Sequence, residues 1–533
     1  MRLRRTALNE PALYGAGGVA GRCRTIRAAS IATLLLAAAG CSPEPAGTPP
    51  VEGQDQPAPG AVSESPAPAS EPAATASSLA DLPPAPSPPT DRFRLPPYTE
   101  TTLDNGLRLV LIERREVPLV AFHATLAGGT IAEPVDRNGV AALTAGLLER
   151  GAGDRDSETF AETVAAVGGR FETEPGLEAI VIRGEFMARD SALMIELLAD
   201  VLQRPALSAD EFEKLKVRSI RGITAARDAD LRGLIGPYAR AWVYGDHPYG
   251  RALTGSEDSL GQIGHRDVVA FYEDEVGADR LTLTLVGDFD AEDIQAELAA
   301  AFGGWRSAGA PRPEAPETVP AAGGRVLLID KPGSTQTYFW IGNRGAGRTD
   351  PEAPAIDLVN TLFGGRFTSM LNNALRVESG LTYGARSLLE RPVQPGTVGI
   401  FSFCATDDTV AAIDLALAQL DRLHGDGFDE ETLASGRNYI LGTWTLNLET
   451  GPQLAAAISD LKFYGLPDEA LNDYARRVAD VSQEESRAVI ERIYPARDDL
   501  GFVLIGDGDA IRGGLAGYGE ITELEISAPR FRP

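Results

Sequence analysis

The sequence predicts an α+β protein made of two homologous domains, each a mixed sheet with helices packed on it. Three observations carry this. LRLVLIERREVPL (Leu107–Leu119) is echoed by GRVLLIDKPGSTQ (Gly324–Gln336), and Arg108 and Arg325 stand 217 positions apart. VVAFYEDEVGADRLTLTLVGD (Val268–Asp288) is echoed by AVIERIYPARDDLGFVLIGD (Ala488–Asp507), with Gly287 and Gly506 219 apart. Two echoes at nearly one offset imply a repeat of about 200 residues. Third, within each repeat strands and helices come in runs, without the regular alternation of a parallel βαβ fold. At 533 residues the chain is also too long for one core.

In chain order, residues 1–40 read as a lipoprotein signal peptide. Arg22, Arg24 and Arg27 precede the apolar run Ala28–Ala39, which ends AAAGC at Cys41. About a dozen apolar residues are too few to span a bilayer. Small residues before a cysteine resemble the bacterial lipobox, with Cys41 as the acylated first residue and Ala38 where leucine is usual. Residues 41–97 are Pro, Ala, Ser and Glu with almost no large apolar side chain. Such a segment cannot offset its ordering entropy and reads as a disordered tether. The first domain spans 98–306. Its expected elements are a strand at Glu116–Ala127, helices at Asn138–Arg150 and Ser157–Val167 (capped by Ser157), a strand at Ala179–Phe186, and helices at Ala192–Leu202 and Ala209–Ala226. A Gly/Ala/Pro-rich linker covers 307–323. The second domain, 324–533, repeats the pattern with strands at Tyr338–Gly342 and Thr397–Ala405. Its helices are expected at Ala353–Leu362, Thr409–His424, Glu430–Leu446 and Ser482–Ile493.

Composition narrows the function. Lys+Arg number 49 against 76 Asp+Glu, a net charge of −27. Setting aside the six arginines and one glutamate of residues 1–40 makes it −32. A chain this acidic is not drawn to nucleic acid. Of the three cysteines only Cys404 lies in the folded part, so no internal disulfide is available there; its apolar run makes it a buried small hydrophobe. The four histidines, His123, His247, His265 and His424, include no helical pair. The chain alone therefore offers no evident first-row metal site.

One stretch carries chemistry. LNNALRVESGLTYG (Leu371–Gly384) reads as a short helix stopping at Gly380, with Tyr383 entering a strand beyond it. Arg376 and Tyr383 can then converge as a fixed cation and a phenol, both donors to a peptide carbonyl or to the oxyanion it becomes. Such residue pairs also arise as a solvated arginine and a core tyrosine. The glycines Gly364–Gly365 do not read as a phosphate loop, because no strand precedes them and no Lys-Ser/Thr follows.

LDNGLRLVLIE (Leu103–Glu113), YGDHPYGRAL (Tyr244–Leu253), FGGRFTSMLNNALRVESGLTYG (Phe363–Gly384) and the VGD/IGD endings resemble the pitrilysin/insulinase family of zinc peptidases, in its processing-peptidase-like branch. The resemblance covers about Pro97–Asp507 and implies two domains facing each other like clam halves. Active members carry HxxEH on the first helix of the first domain, two histidines for zinc and a glutamate as general base. Here Ala142, Ala145 and Gly146 stand in those three places, within GVAALTAGLLERGAG. The third zinc ligand should fall near Gly222, where there is no carboxylate. Glu149, one turn displaced, does not substitute.

The resemblance therefore implies a zinc-less subunit, with no cofactor bound by this chain. Zinc is expected in a sister subunit with intact HxxEH. Arg376 and Tyr383 are expected to hold the peptide and stabilise the tetrahedral intermediate on the partner's site. The expected partners are that sister chain, peptide substrates and a membrane reached through the lipid anchor. The expected place is the periplasm, with Ser42 after Cys41 favouring the outer membrane. The alternative is a non-enzymatic peptide-binding or scaffold protein.

Overall fold

The structure, a computed structural model, describes residues 93–319 and 321–533. The signal peptide at 1–40, Cys41 and the tether as far as residue 92 lie outside the described residues.

The first repeat supplies β1 (Thr99–Thr102), β2 (Arg108–Glu113), β3 (Leu119–Ala127), a two-residue pair β4 (Gly151–Ala152) and β5 (Arg155–Asp156), then β6 (Arg170–Pro175), β7 (Ala179–Met187) and β8 (Leu281–Gly287). Its main sheet runs β1-β2-β8-β3-β7-β6. The second repeat supplies β9 (Arg325–Asp330), β10 (Gln336–Arg344), β11 (Thr382–Leu389), β12 (Thr397–Ala405), β13 (Gly501–Gly506) and β14 (Glu520–Glu525). Its sheet runs β11-β12-β10-β13-β9-β14. Five strands correspond one for one: β2-β8-β3-β7-β6 matches β9-β13-β10-β12-β11, including the one parallel pairing each contains. The echoed segments are those parallel pairs, with Arg108 opposite Thr282 and Arg325 opposite Gly501. β8 and β13 are buried along their whole length, which explains their near-continuous apolar sequence. Only the sixth strand differs: β1 joins β2 antiparallel, whereas β14 joins β9 in parallel.

The two domains meet through a pair of exchanged helices, which the sequence pattern does not assign. The helix Leu231–Tyr244 of the first repeat packs on β10 and β13 of the second sheet. The helix Gly451–Phe463, 220 positions later at its start, packs on β3 and β8 of the first. Its Leu454, Ala455 and Ile458 form one core with Val110, Ile112 and Val286, and the Ser459 hydroxyl meets that of Thr125 at 2.8 Å. Each repeat thus lends its counterpart a helix, burying apolar sheet surface that would otherwise face water.

Several boundaries move for local reasons. β3 starts at Leu119, not Glu116, after a turn. The helix expected at Ser157–Val167 is capped by Asp156, whose carboxylate accepts from the Thr159 N–H at 2.9 Å; Ser157 is already helical. The helix from Ala209 runs on to Ala229, and that from Ala353 ends at Asn360 and continues as a π-turn, Thr361–Gly365. The last residues of the expected tether lie on the body: Phe93 sits edge-on to Trp444 at 4.8 Å, and the Leu95 N–H donates to Asn472 Oδ1.

Candidate functional site

Arg376 and Tyr383 are brought together by two local devices. The π-turn Asn373–Glu378 follows the short helix Met370–Asn372 and carries Arg376; π-turns of this kind re-aim side chains and recur at functional sites. Gly380 then adopts φ +69°, a left-handed conformation that glycine takes without a Cβ penalty, and reverses the chain into β11. Tyr383 stands where the pairing of β11 with β12 slips between Thr382 and Ala385. Thr382, turned inward, bonds to Ser402 and to the Phe403 carbonyl and pins this bulge. Tyr383 is left 76% exposed.

The Arg376 guanidinium lies over the Tyr383 ring at 4.6 Å and over the Phe367 ring at 4.9 Å. Stacking fixes the plane of the cation while leaving its N–H edge open. Among the described residues neither the guanidinium nor the phenol hydrogen-bonds to protein. Both face a cavity of about 420 Å³. One lining residue comes from the first repeat: Arg232, on the exchanged helix Leu231–Tyr244, stands over the Phe401 ring at 5.7 Å. Gly364 lies against the backbone of Arg386 and Ser387 in β11, where a Cβ would collide, so this glycine lets the π-turn close down on the strand.

In the first repeat the helix Val140–Leu148 is held at its N-terminus by Glu133, whose carboxylate accepts from the N–H groups of Gly139 and Ala141 at 2.9 and 3.0 Å and from Asn138. Burial pushes the Glu133 carboxyl up to about 7, against the pull of those donors. Ala145 is fully buried and its carbonyl accepts from the Thr173 hydroxyl of β6. A Cβ on Gly146 would lie 2.9 Å from Leu215 Cδ2. Ala142 is half-buried. Gly222 is exposed on the helix Ala209–Ala229, in open space.

Two profiles of one family match: the insulinase (peptidase family M16) profile at residues 109–256, within the first repeat, and the peptidase M16 inactive-domain profile at 262–440, from the end of the first repeat into the second. The chain belongs to the insulinase (M16) family. An uncharacterized zinc protease of Mycobacterium leprae is 25% identical over 352 residues, 66% of this chain and 78% of the relative. One of Streptomyces coelicolor is 23% identical over 410 residues, 76% and 88%. Two solved structures share the fold at TM-score 0.72: a peptidase M16 inactive domain from Pseudomonas fluorescens and a protease from Helicobacter pylori. The first is 22% identical and covers 77% of this chain and 98% of its own; the second is 17% identical, at 78% and 100%.

The insulinase-family zinc can be tested against the residues present. Two alanines and two glycines offer no side-chain ligand atom, and Leu215 occupies the space an imidazole at Gly146 would need. Among the described residues no three His, Cys, Asp or Glu side chains are grouped to hold a metal ion. The residues do not fit the ion. Glu149 flanks the C-terminus of that helix, half-buried, its carboxyl raised by burial.

Sequence reading missed Arg232, Arg366 and Arg386, which share the cavity with the pair. Arg366 was in view within FGGRF; Arg232 arrives from 144 positions upstream and no local signal announces it. The YGDHPYG stretch is structural: His247 Nδ1 accepts from the Tyr249 N–H, the Tyr249 hydroxyl donates to Glu178, and Glu178 accepts from the Val393 N–H at 3.0 Å, tying the repeats together. Cys404 is buried and its thiol is pushed up to about 11 by burial.

Proposed function

We propose that this chain is the zinc-less subunit of a heteromeric metallopeptidase. It encloses and holds an unfolded peptide and presents Arg376 and Tyr383 to a scissile bond whose zinc and general base belong to a sister chain with intact HxxEH. The observation that carries this is the pair itself: a stacked guanidinium and an exposed phenol, both with free polar ends, beside an open cavity in a chain whose metal positions are apolar. Donors placed ahead of the reaction against developing negative charge are worth several kcal/mol. The edge strands β6 and β11 offer backbone groups for peptide pairing. Acylation at Cys41, with the 41–97 tether, would hold the assembly at the periplasmic face of the outer membrane. The packed Ala145–Gly146 face equally suits a non-enzymatic peptide-binding or scaffold protein, which holds the same peptide without turnover.

The test is reconstitution with a zinc-bearing sister chain. Peptide cleavage should require both chains. Arg376→Ala or Tyr383→Phe should lower turnover by roughly one to three orders of magnitude while the two chains still co-elute. Unchanged turnover in both variants would retire the site, and a stable pair that never cleaves would favour the scaffold.

A further inference from the structure

The cavity beside the pair has a charge opposite to that of the protein. Although acids outnumber bases by 27 in the chain, four arginines line it, Arg232, Arg366, Arg376 and Arg386, and no aspartate or glutamate does. Among the described residues none of the four forms an ion pair. Arginines elsewhere behave differently: Arg240, eight positions along the same helix from Arg232, bonds to Glu390 at 2.9 Å, and Arg391 pairs with Asp357 at 2.7 Å. Three of the four lie over aromatic faces instead, Arg232 on Phe401, Arg366 on Tyr439 and Arg376 on Phe367 and Tyr383. Arg386 is opposite Phe401 across the β11–β12 pairing. Rings hold the guanidinium planes without neutralising them.

Arg366 Nη1 donates to the Ser435 hydroxyl, a neutral partner that leaves its charge uncompensated, and burial lowers its basicity.

We propose that this cavity receives a peptide carboxylate, so that the chain selects acidic peptides. The proposal rests on the peptide-holding reading of the same face and adds its substrate class. The carboxylate can come from a glutamate or aspartate side chain or from a free C-terminus; both present the planar anion that arginine forks match. The anion would enter between Arg232 of the exchanged helix and Arg386 of β11, so recognition needs both repeats.

Binding to the full chain alone tests it, by fluorescence anisotropy with four labelled peptides of one neutral parent sequence. One is neutral and amidated, one neutral with a free C-terminus, one amidated with two internal glutamates, and one amidated with two lysines. At least one carboxylate-bearing peptide should bind about tenfold more tightly than the amidated parent, and which one does so identifies the source. The lysine peptide should gain nothing. The exposed double substitution Arg232→Gln, Arg386→Gln should erase the difference between the carboxylate peptide and its parent, while Arg232→Lys, Arg386→Lys retains part of it. Equal binding of parent and carboxylate peptides would overturn the selectivity and leave peptide holding intact. If no peptide binds the wild type, peptide holding fails and the selectivity falls with it.

Discussion

The two repeats share a five-strand frame, strand for strand, yet the faces beside it have opposite characters. In the first, on the helix Val140–Leu148, Gly146 lies against Leu215 and the buried Ala145 carbonyl accepts from the Thr173 hydroxyl, so the surface is packed. In the second, the helix Ala353–Asn360 at the equivalent place gives way to two π-turns, Thr361–Gly365 and Asn373–Glu378, and Arg376, Tyr383 and Phe367 line a cavity. The lesson is that the frame does not carry the chemistry. Small side chains pack one face closed, and irregular backbone holds a cavity open on the equivalent sheet of the other repeat.

The largest expected effect comes from reversing the first half of that contrast. Writing an HxxEH motif into this helix as Ala142→His, Ala145→Glu and Gly146→His places a carboxylate at a fully buried position and a ring against Leu215. The triple variant should lose about 3–5 kcal/mol in urea unfolding and bind zinc poorly. A wild-type midpoint with one zinc per chain would show the face to be adaptable, not filled. Next come the exchanged helices, which should contribute alike if the repeats are truly reciprocal. Ile458→Ala and Leu234→Ala each remove a buried side chain and should cost about 2–5 kcal/mol. A small loss from either alone would make the exchange one-sided.

The smallest effect concerns pH. His123 sits on β3, buried, and burial together with Arg183 lowers its imidazole to about 4. The folded chain therefore stays unprotonated there while the unfolded chain takes up a proton near 6.5. This contribution to stability is complete above about pH 6.5 and is lost as pH falls toward 4, reaching on the order of 3 kcal/mol. Glu133 in the same repeat works oppositely, since its raised carboxyl loses stability as pH rises from about 4.5 to 7. The comparison to make is thus wild type against His123→Phe, whose difference should grow as pH falls through that window. A difference independent of pH would refute the assignment.

Much of the frame was legible because sheets impose a period of two and the repeat doubled the signal. Leu107–Leu119 and its echo at Gly324–Gln336 fixed the strands, and β12 falls at Thr397–Ala405 as read. The exchanged helices were not legible. An amphipathic pattern tells that a face is buried but not against which sheet, and Pro237 interrupts the helical reading of Leu231–Tyr244. At the site, the meeting of Arg376 and Tyr383 followed from Gly380 as a helix stop. The π-turn was invisible because nothing in residue pattern distinguishes a fifth-residue hydrogen bond from a fourth. Arg232 was missed for a topological reason: the exchange carries it onto the other repeat's sheet.

The division of catalysis proposed above puts metal and base in a sister chain and charge-stabilising donors here. The direct measurement is the zinc content of the purified chain together with its cleavage of an unstructured peptide, alone and after adding a zinc-bearing sister. The account predicts substoichiometric zinc, no cleavage by the lone chain and cleavage by the mixture. One zinc per chain and unaided cleavage would contradict it.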